Sequence, residues 1–120
     1  MKNKILIFLS ISIIAFWYFT KNVTIGDHYE IINKMSCRHL VYDLGSNSSI
    51  GRISCLDKVG FKNQYIFGES QNQYYWFDKS KDNRNFNSDE IVNGPFSKNE
   101  FYRLLDSLSI NDFEFQYIYK

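Results

Sequence analysis

Residues 94–108, "GPFSKNEFYRLLDSL", spell out a helix together with its stop and start signals, in a chain that otherwise alternates like sheet. Gly94-Pro95 ends whatever precedes it. Ser97 followed three residues later by Glu100 is a capping box, in which each side chain accepts from the other residue's backbone N–H. Phe96 before the cap and Phe101 one turn into the helix make a hydrophobic staple. Phe101, Leu104, Leu105 and Leu108 recur on one face, with Arg103, Asp106 and Ser107 on the other. A helix of this kind is expected to lie across a sheet and close the core that the strands cannot close alone.

The strands read from composition and period. Ala occurs once and Pro once, while Phe, Tyr and Trp make up 18% of the chain. The strong helix former is missing and the β-favouring aromatics are abundant. "DHYEIIN", "CRHLVYDL", "IGRISCLDKVGF", "NQYIFGE" and "NQYYWFDK" read as successive strands with polar turns between them, and "FEFQYIYK" as a last one. "KSKDNRNFNSDE" reads as a solvated loop. The expected fold is therefore α+β, mainly β. It is an antiparallel meander of about five to seven strands, with one helix from the C-terminal half packed on the sheet.

The first twenty residues stand apart as a hydrophobic helix ahead of a single domain at 21–120. Residues 5–20 are uncharged and follow Lys2 and Lys4. Sixteen helical residues span roughly 24 Å, short of the ~30 Å hydrocarbon core, but Trp17 and Tyr18 suit an interface and the flanking lysines can snorkel. The segment fits a signal anchor or a signal peptide. The bulky "FWYFTKN" is a poor cleavage site, which favours the anchor; a buried first element of the domain is the remaining reading. Setting aside Lys2 and Lys4, the chain carries 12 basic and 13 acidic side chains with no basic cluster. Phosphate contacts dominate nucleic-acid affinity, so nucleic acid is not the expected partner.

Cys37 and Cys55 flank a run centred on Gly45-Ser46-Asn47, which is turn chemistry. If the flanking runs pair about Ser46, the two cysteines fall opposite each other, about 4.5–5.5 Å apart at Cα and within reach of a disulfide. The alternative is two small buried hydrophobes. An exported domain would meet an oxidising compartment.

Three constellations invite chemistry. Cys37 and His39 share one strand face, as a nucleophile pair or two metal ligands would, but the sequence places no third residue beside them, and half-buried strand positions are the plainer reading. Asp78, Ser80, Asp82 and Asp89 mimic the spacing of a calcium loop, yet Asn83 stands where that loop needs Gly. "QYYWF" is aromatic on both faces. It reads as a central strand covered on both sides or, if one face is open, as a patch of His28, Tyr74 and Trp76 for a protein partner. No cofactor motif is present in the sequence.

The order "YYWFDK", polar loop, "GPFSKNEF" and leucine-bearing helix resembles small exported bacterial proteins of unassigned function, many of them lipoproteins or membrane-anchored. "VGFKNQYIFGES" is similar to the strand pair that precedes this segment in them, and the likeness covers about residues 26–110. The chain departs from the lipoprotein members in having no lipobox Cys. The resemblance implies no catalytic residue. It implies a domain on the outer side of the bacterial inner membrane, in the periplasm, held by residues 5–20 or released by cleavage. The expected role is a non-enzymatic protein-binding module, in concrete form an immunity or inhibitor protein against an exported toxin. The alternatives are an accessory subunit of a membrane complex, or a small envelope hydrolase using His28 or His39 with a carboxylate.

Overall fold

A computed structural model describes residues 23–26 and 28–119. The anchor or signal segment expected at 1–20 lies outside them. Among the described residues no helix is long and apolar enough to cross a membrane.

The chain is mainly β, as its alternation requires, but the strands form two antiparallel sheets where one meander was expected. The first runs β1 (Val23–Ile25), β2 (Tyr29–Lys34), β3 (Cys37–Gly45), β4 (Ser48–Ile53), each paired with the next. The second holds β5 (Lys58–Lys62), β6 (Tyr65–Ser70), β7 (Gln73–Asp78), β8 (Asn93–Phe96) and β9 (Tyr117–Ile118), in the order β8-β7-β6-β5-β9. The division falls inside "IGRISCLDKVGF", which the alternation presents as a single strand. Cys55 takes a left-handed conformation with φ 50°, and such a residue cannot continue a pleated strand. The corner at 54–57 carries the chain from one sheet to the other.

Packing accounts for the split. Ile31, Leu40 and Ile53 of the first sheet meet Val59, Ile66 and Phe77 of the second in one buried cluster. The opposite face of the second sheet, through Phe67 and Tyr74, meets the helix residues Phe101 and Leu105 together with Ile110. The second sheet is thus the middle of three layers, and β7 is aromatic on both faces because both are covered: Tyr75 and Phe77 join the inter-sheet core, Tyr74 and Trp76 the helix side. Gly68 lets the sheets close. A Cβ there would stand 2.8 Å from Ile53 Cδ1 and 2.9 Å from Leu56 Cδ2.

The segment expected as a solvated loop is partly structured. It holds a 3-10 turn at Lys79–Lys81 and a short helix, α1 (Ser88–Ile91), at whose start Glu90 Oε1 accepts from Asn87 N–H at 3.1 Å. Gly94-Pro95, expected to end an element, instead lies within the edge strand β8, a position where proline's missing N–H costs no ladder bond. The run at 113–119 yields two strand residues, not a full strand. What precedes them closes the sheet another way: the Gln116 side-chain amide accepts from Phe61 N–H at 2.8 Å and donates to Phe61 C=O at 3.2 Å.

The second helix, α2 (Lys98–Ser107), starts at Ser97. Ser97 Oγ accepts from Glu100 N–H at 3.3 Å and Glu100 Oε1 accepts from Ser97 N–H at 3.1 Å. The Ser97 backbone N–H, then the Ser97 hydroxyl, hold the Glu100 carboxyl below its ordinary value. The folded form gains from ionised Glu100 at neutral pH, and that gain is lost as pH falls through the lowered value. The helix ends on Leu108, followed by Ser109 at φ 57°. Ile110 N–H reaches Leu105 C=O at 2.9 Å and Ser109 N–H reaches Asp106 C=O at 3.0 Å. This is a Schellman motif built without its usual glycine, with Ile110 packed in the same cluster as Leu105. Ser109→Gly is expected to relieve the left-handed penalty and stabilise the fold by about 1 kcal/mol, read as a higher urea midpoint at unchanged slope.

Candidate functional site

Asp82, in the loop that reads as merely solvated, accepts four hydrogen bonds. Arg52 on β4 donates to it through Nε at 2.8 Å and Nη2 at 2.9 Å, a two-pronged contact. Tyr29 on β2 donates its hydroxyl to Oδ2 at 2.8 Å, and Asn83 N–H donates to Oδ1 at 2.8 Å. A carboxylate has about four acceptor sites, so Asp82 is saturated. Both side chains of the Arg52–Asp82 pair are 0% exposed, so the pair ties the first sheet to the loop after β7 and is closed to any ligand. The calcium-loop spacing has no counterpart either, because Asp82 is committed to Arg52 and Asp78 caps the 3-10 turn through Ser80 N–H at 2.9 Å.

Burial, then the hydrogen bond to Asp82 and its charge, push the Tyr29 phenol far above its ordinary value. Burial likewise raises Tyr74 and Tyr119. Each holds its proton more firmly folded than unfolded, so their contribution is complete below about pH 10 and is lost as pH rises beyond it. Phenolate absorbance of the native protein should therefore lag that of the urea-unfolded chain. Tyr29→Phe should remove the largest single part of the lag; an unchanged difference curve would contradict the assignment.

His28, Tyr74 and Trp76 are not brought together. His28 is stacked on Tyr42 of the first sheet, ring centres 5.2 Å apart. Tyr74 lies beneath the helix, stacked on Phe101 at 4.5 Å, and Trp76 packs beside Tyr65 on that same face. The aromatic patch is replaced by a covered surface because the helix needs those residues as its floor.

The fold does assemble a different cluster. Cys37 opens β3 and is joined by a disulfide to Cys55, Cα atoms 4.7 Å apart. The two are not partners in a ladder. Val41↔Gly51, Tyr42↔Ile50 and Asp43↔Ser49 keep the register centred on Ser46, which then slips by one residue to Leu40↔Ile53. Cys37 itself pairs with Lys34 of β2. Cys55 is held by its own corner: Leu56 N–H donates to Arg38 C=O at 2.7 Å, and Ser70 Oγ donates to Cys55 C=O at 2.7 Å.

His39 stands on the same face of β3 as Cys37. Its Nδ1 faces Cys55 N–H at 3.4 Å and its Nε2 faces Lys34 C=O at 3.0 Å. The backbone N–H can only donate, so Nδ1 bears the lone pair and Nε2 the proton. Among the described residues neither ring nitrogen meets a carboxylate that could orient His39 as a hydrolytic base.

The disulfide forms a ridge between two grooves. One, of about 520 Å³, runs past Arg52, Ser70, Gln71, Tyr75 and Asp89; the other, of about 350 Å³, past Arg38, Asp57 and Tyr119, and Cys55 lines both. Met35, in the turn just before Cys37, is 85% exposed. Nothing in local sequence pattern foretells the grooves, since they exist only where the corner at Cys55 sets one sheet against the other.

Comparison with protein-family models, with curated proteins and with solved structures finds no match for this chain.

Proposed function

We propose that this chain is a binding domain of the bacterial cell envelope, tethered by residues 5–20 on the outer side of the inner membrane, that acts by contact with another protein. The concrete form we favour is an inhibitor that neutralises an exported toxin. The observation that supports the reading is the half-buried Cys37–Cys55 disulfide, a bond that persists in an oxidising compartment and is rare in the cytosol. It stiffens the wall of the larger groove, whose lining mixes Tyr75 and Val92 with Gln71 and Asp89. Aromatic and polar groups around a pre-formed concavity suit a protein partner, because little ordering entropy remains to be lost on binding.

The test is crosslinking in intact cells with a photo-reactive residue at Gln71, on the rim of that groove. One stoichiometric envelope partner should be captured, and Tyr75→Ala should abolish its capture and any protection against a toxin encoded alongside. Alkylation before lysis should find both thiols blocked by their disulfide. Free thiols in a cytosolic product, or capture that ignores Tyr75, would overturn the reading. Exchanging residues 5–20 for an unrelated anchor should leave function intact; loss of function would favour the accessory-subunit alternative.

A further inference from the structure

Three soft ligand atoms converge at the corner between the sheets. The two sulfurs of Cys37 and Cys55 and a ring nitrogen of His39 all lie within 4.8 Å of one another. The sequence alone offers the Cys-x-His pair on β3 and, separately, the Cys37–Cys55 pairing across the hairpin. Cys55, sixteen residues beyond His39, arrives through the left-handed corner that ends the first sheet. We propose that, when the disulfide is reduced, Cys37, Cys55 and His39 form a binding site for a thiophilic divalent cation of the zinc type.

The chemistry fits the ligand set. Zinc takes thiolate sulfur at about 2.3 Å and imidazole nitrogen at about 2.0–2.1 Å in tetrahedral geometry, which puts ligand atoms roughly 3.5–3.8 Å apart. The sulfurs must therefore part by about 1.7 Å from bonding distance, a motion that side-chain rotation supplies while the Cα atoms stay 4.7 Å apart. His39 is already posed for the role. Its Nε2–H is tied to Lys34 C=O at 3.0 Å, the kind of outer contact that fixes ring orientation in metal-bound histidines. Its Nδ1 lone pair points toward Cys55, where the cation would replace a weak 3.4 Å hydrogen bond. The fourth position opens onto the adjoining groove and takes water.

The two states exclude each other, because a sulfur bonded to sulfur has no thiolate to give. An external dithiol supplies two electrons and two protons, leaving its own disulfide and two cysteine thiols. The cation then displaces both thiol protons to solvent, with no change in its own oxidation state. The oxidised chain is locked by a covalent clasp, and the reduced chain is clasped by metal. The site forms only where a dithiol reductant reaches the disulfide, and it does not depend on which protein the chain meets.

The experiment is cobalt titration of the full-length chain in detergent, reduced with a phosphine that does not compete for the metal, with circular dichroism followed in parallel. One equivalent of Co²⁺ should give thiolate-to-cobalt charge-transfer bands and the visible bands of four-coordinate cobalt, and Zn²⁺ should displace it. The oxidised chain should give neither. Loss of outer-shell partners costs about 10–100-fold in metal affinity, so His39→Ala, which removes a direct ligand, should weaken binding at least about tenfold. Cys37→Ser should abolish the charge-transfer bands. If reduction alone unfolds the domain, one equivalent of metal should restore its dichroism. A reduced chain that binds no cobalt, folded or not, or a His39→Ala variant that binds like the parent, would overturn the proposal.

Discussion

Asp82→Ala is expected to destabilise the domain by about 3–5 kcal/mol, because it leaves the Arg52 guanidinium buried without its counter-charge. At about 4–8 °C per kcal/mol for a domain of this size, the melting temperature should fall by more than about 10 °C. The size of the effect comes from what remains. Arg52 keeps the carbonyls of Gly51 and Asn83, at 3.1 and 3.2 Å, and the Tyr42 ring 5.4 Å away, none of them a counter-charge, and Tyr29 loses its acceptor. Taking out both charges at once should cost much less, since burying a charge pair itself carries a desolvation penalty. Arg52→Met with Asp82→Leu should therefore recover most of the loss, as read from urea midpoints at constant slope. If the single and double variants fell equally, the pair would be contributing packing and not charge.

Phe101→Ala should have an effect of similar size, about 3–5 kcal/mol, from lost transfer energy and an unfilled cavity. Phe101 is 2% exposed and sits at the centre of an aromatic cluster: Tyr74 at 4.5 Å, Phe67 at 5.7 Å, and Phe113 and Phe115 both at 6.0 Å between ring centres. Its removal uncouples the helix and the C-terminal segment from the middle layer together. Near-ultraviolet dichroism should collapse before the far-ultraviolet signal does. Tyr102→Ala, one residue along and 54% exposed, should change stability by no more than about 0.5 kcal/mol. Equal losses at the two positions would place the helix differently on the sheet.

The helix was legible because each of its signals is local. Ser97, Glu100 and the Phe101–Leu105 stripe act over three or four residues, and no distant contact is needed to read them. The hairpin about Ser46 was legible for the same reason. The division into two sheets was not, since it depends on one backbone angle at Cys55 that no glycine announces. The Schellman end at Ser109 was hidden by the same want of a glycine. Asp82 reads as one more charge in a polar loop; its partners Arg52 and Tyr29 lie 30 and 53 residues away, and only tertiary packing brings them to it. The doubly aromatic face of β7 did signal coverage on both sides, but the alternative patch with His28 needed knowledge of which sheet His28 would join. The cysteine–histidine cluster falls between these cases: the Cys37–His39 pair and the Cys37–Cys55 pairing were each visible, but the left-handed corner that brings Cys55 beside His39 was not.

The Gln116 amide has a consequence for how the molecule behaves among its own copies. A strand at the border of a sheet invites another chain to zip onto its free peptide groups. Here the outward N–H and C=O of Phe61 are already answered by a side chain that imitates a peptide unit, just beyond the point where β9 stops. The border of β5 is thereby finished with two strand residues and one amide, and it offers no template for a fibril or for an added strand from a partner. Association through this domain does not proceed by main-chain zippering at Phe61 of β5; the edge strands β1, β4 and β8 are a separate matter.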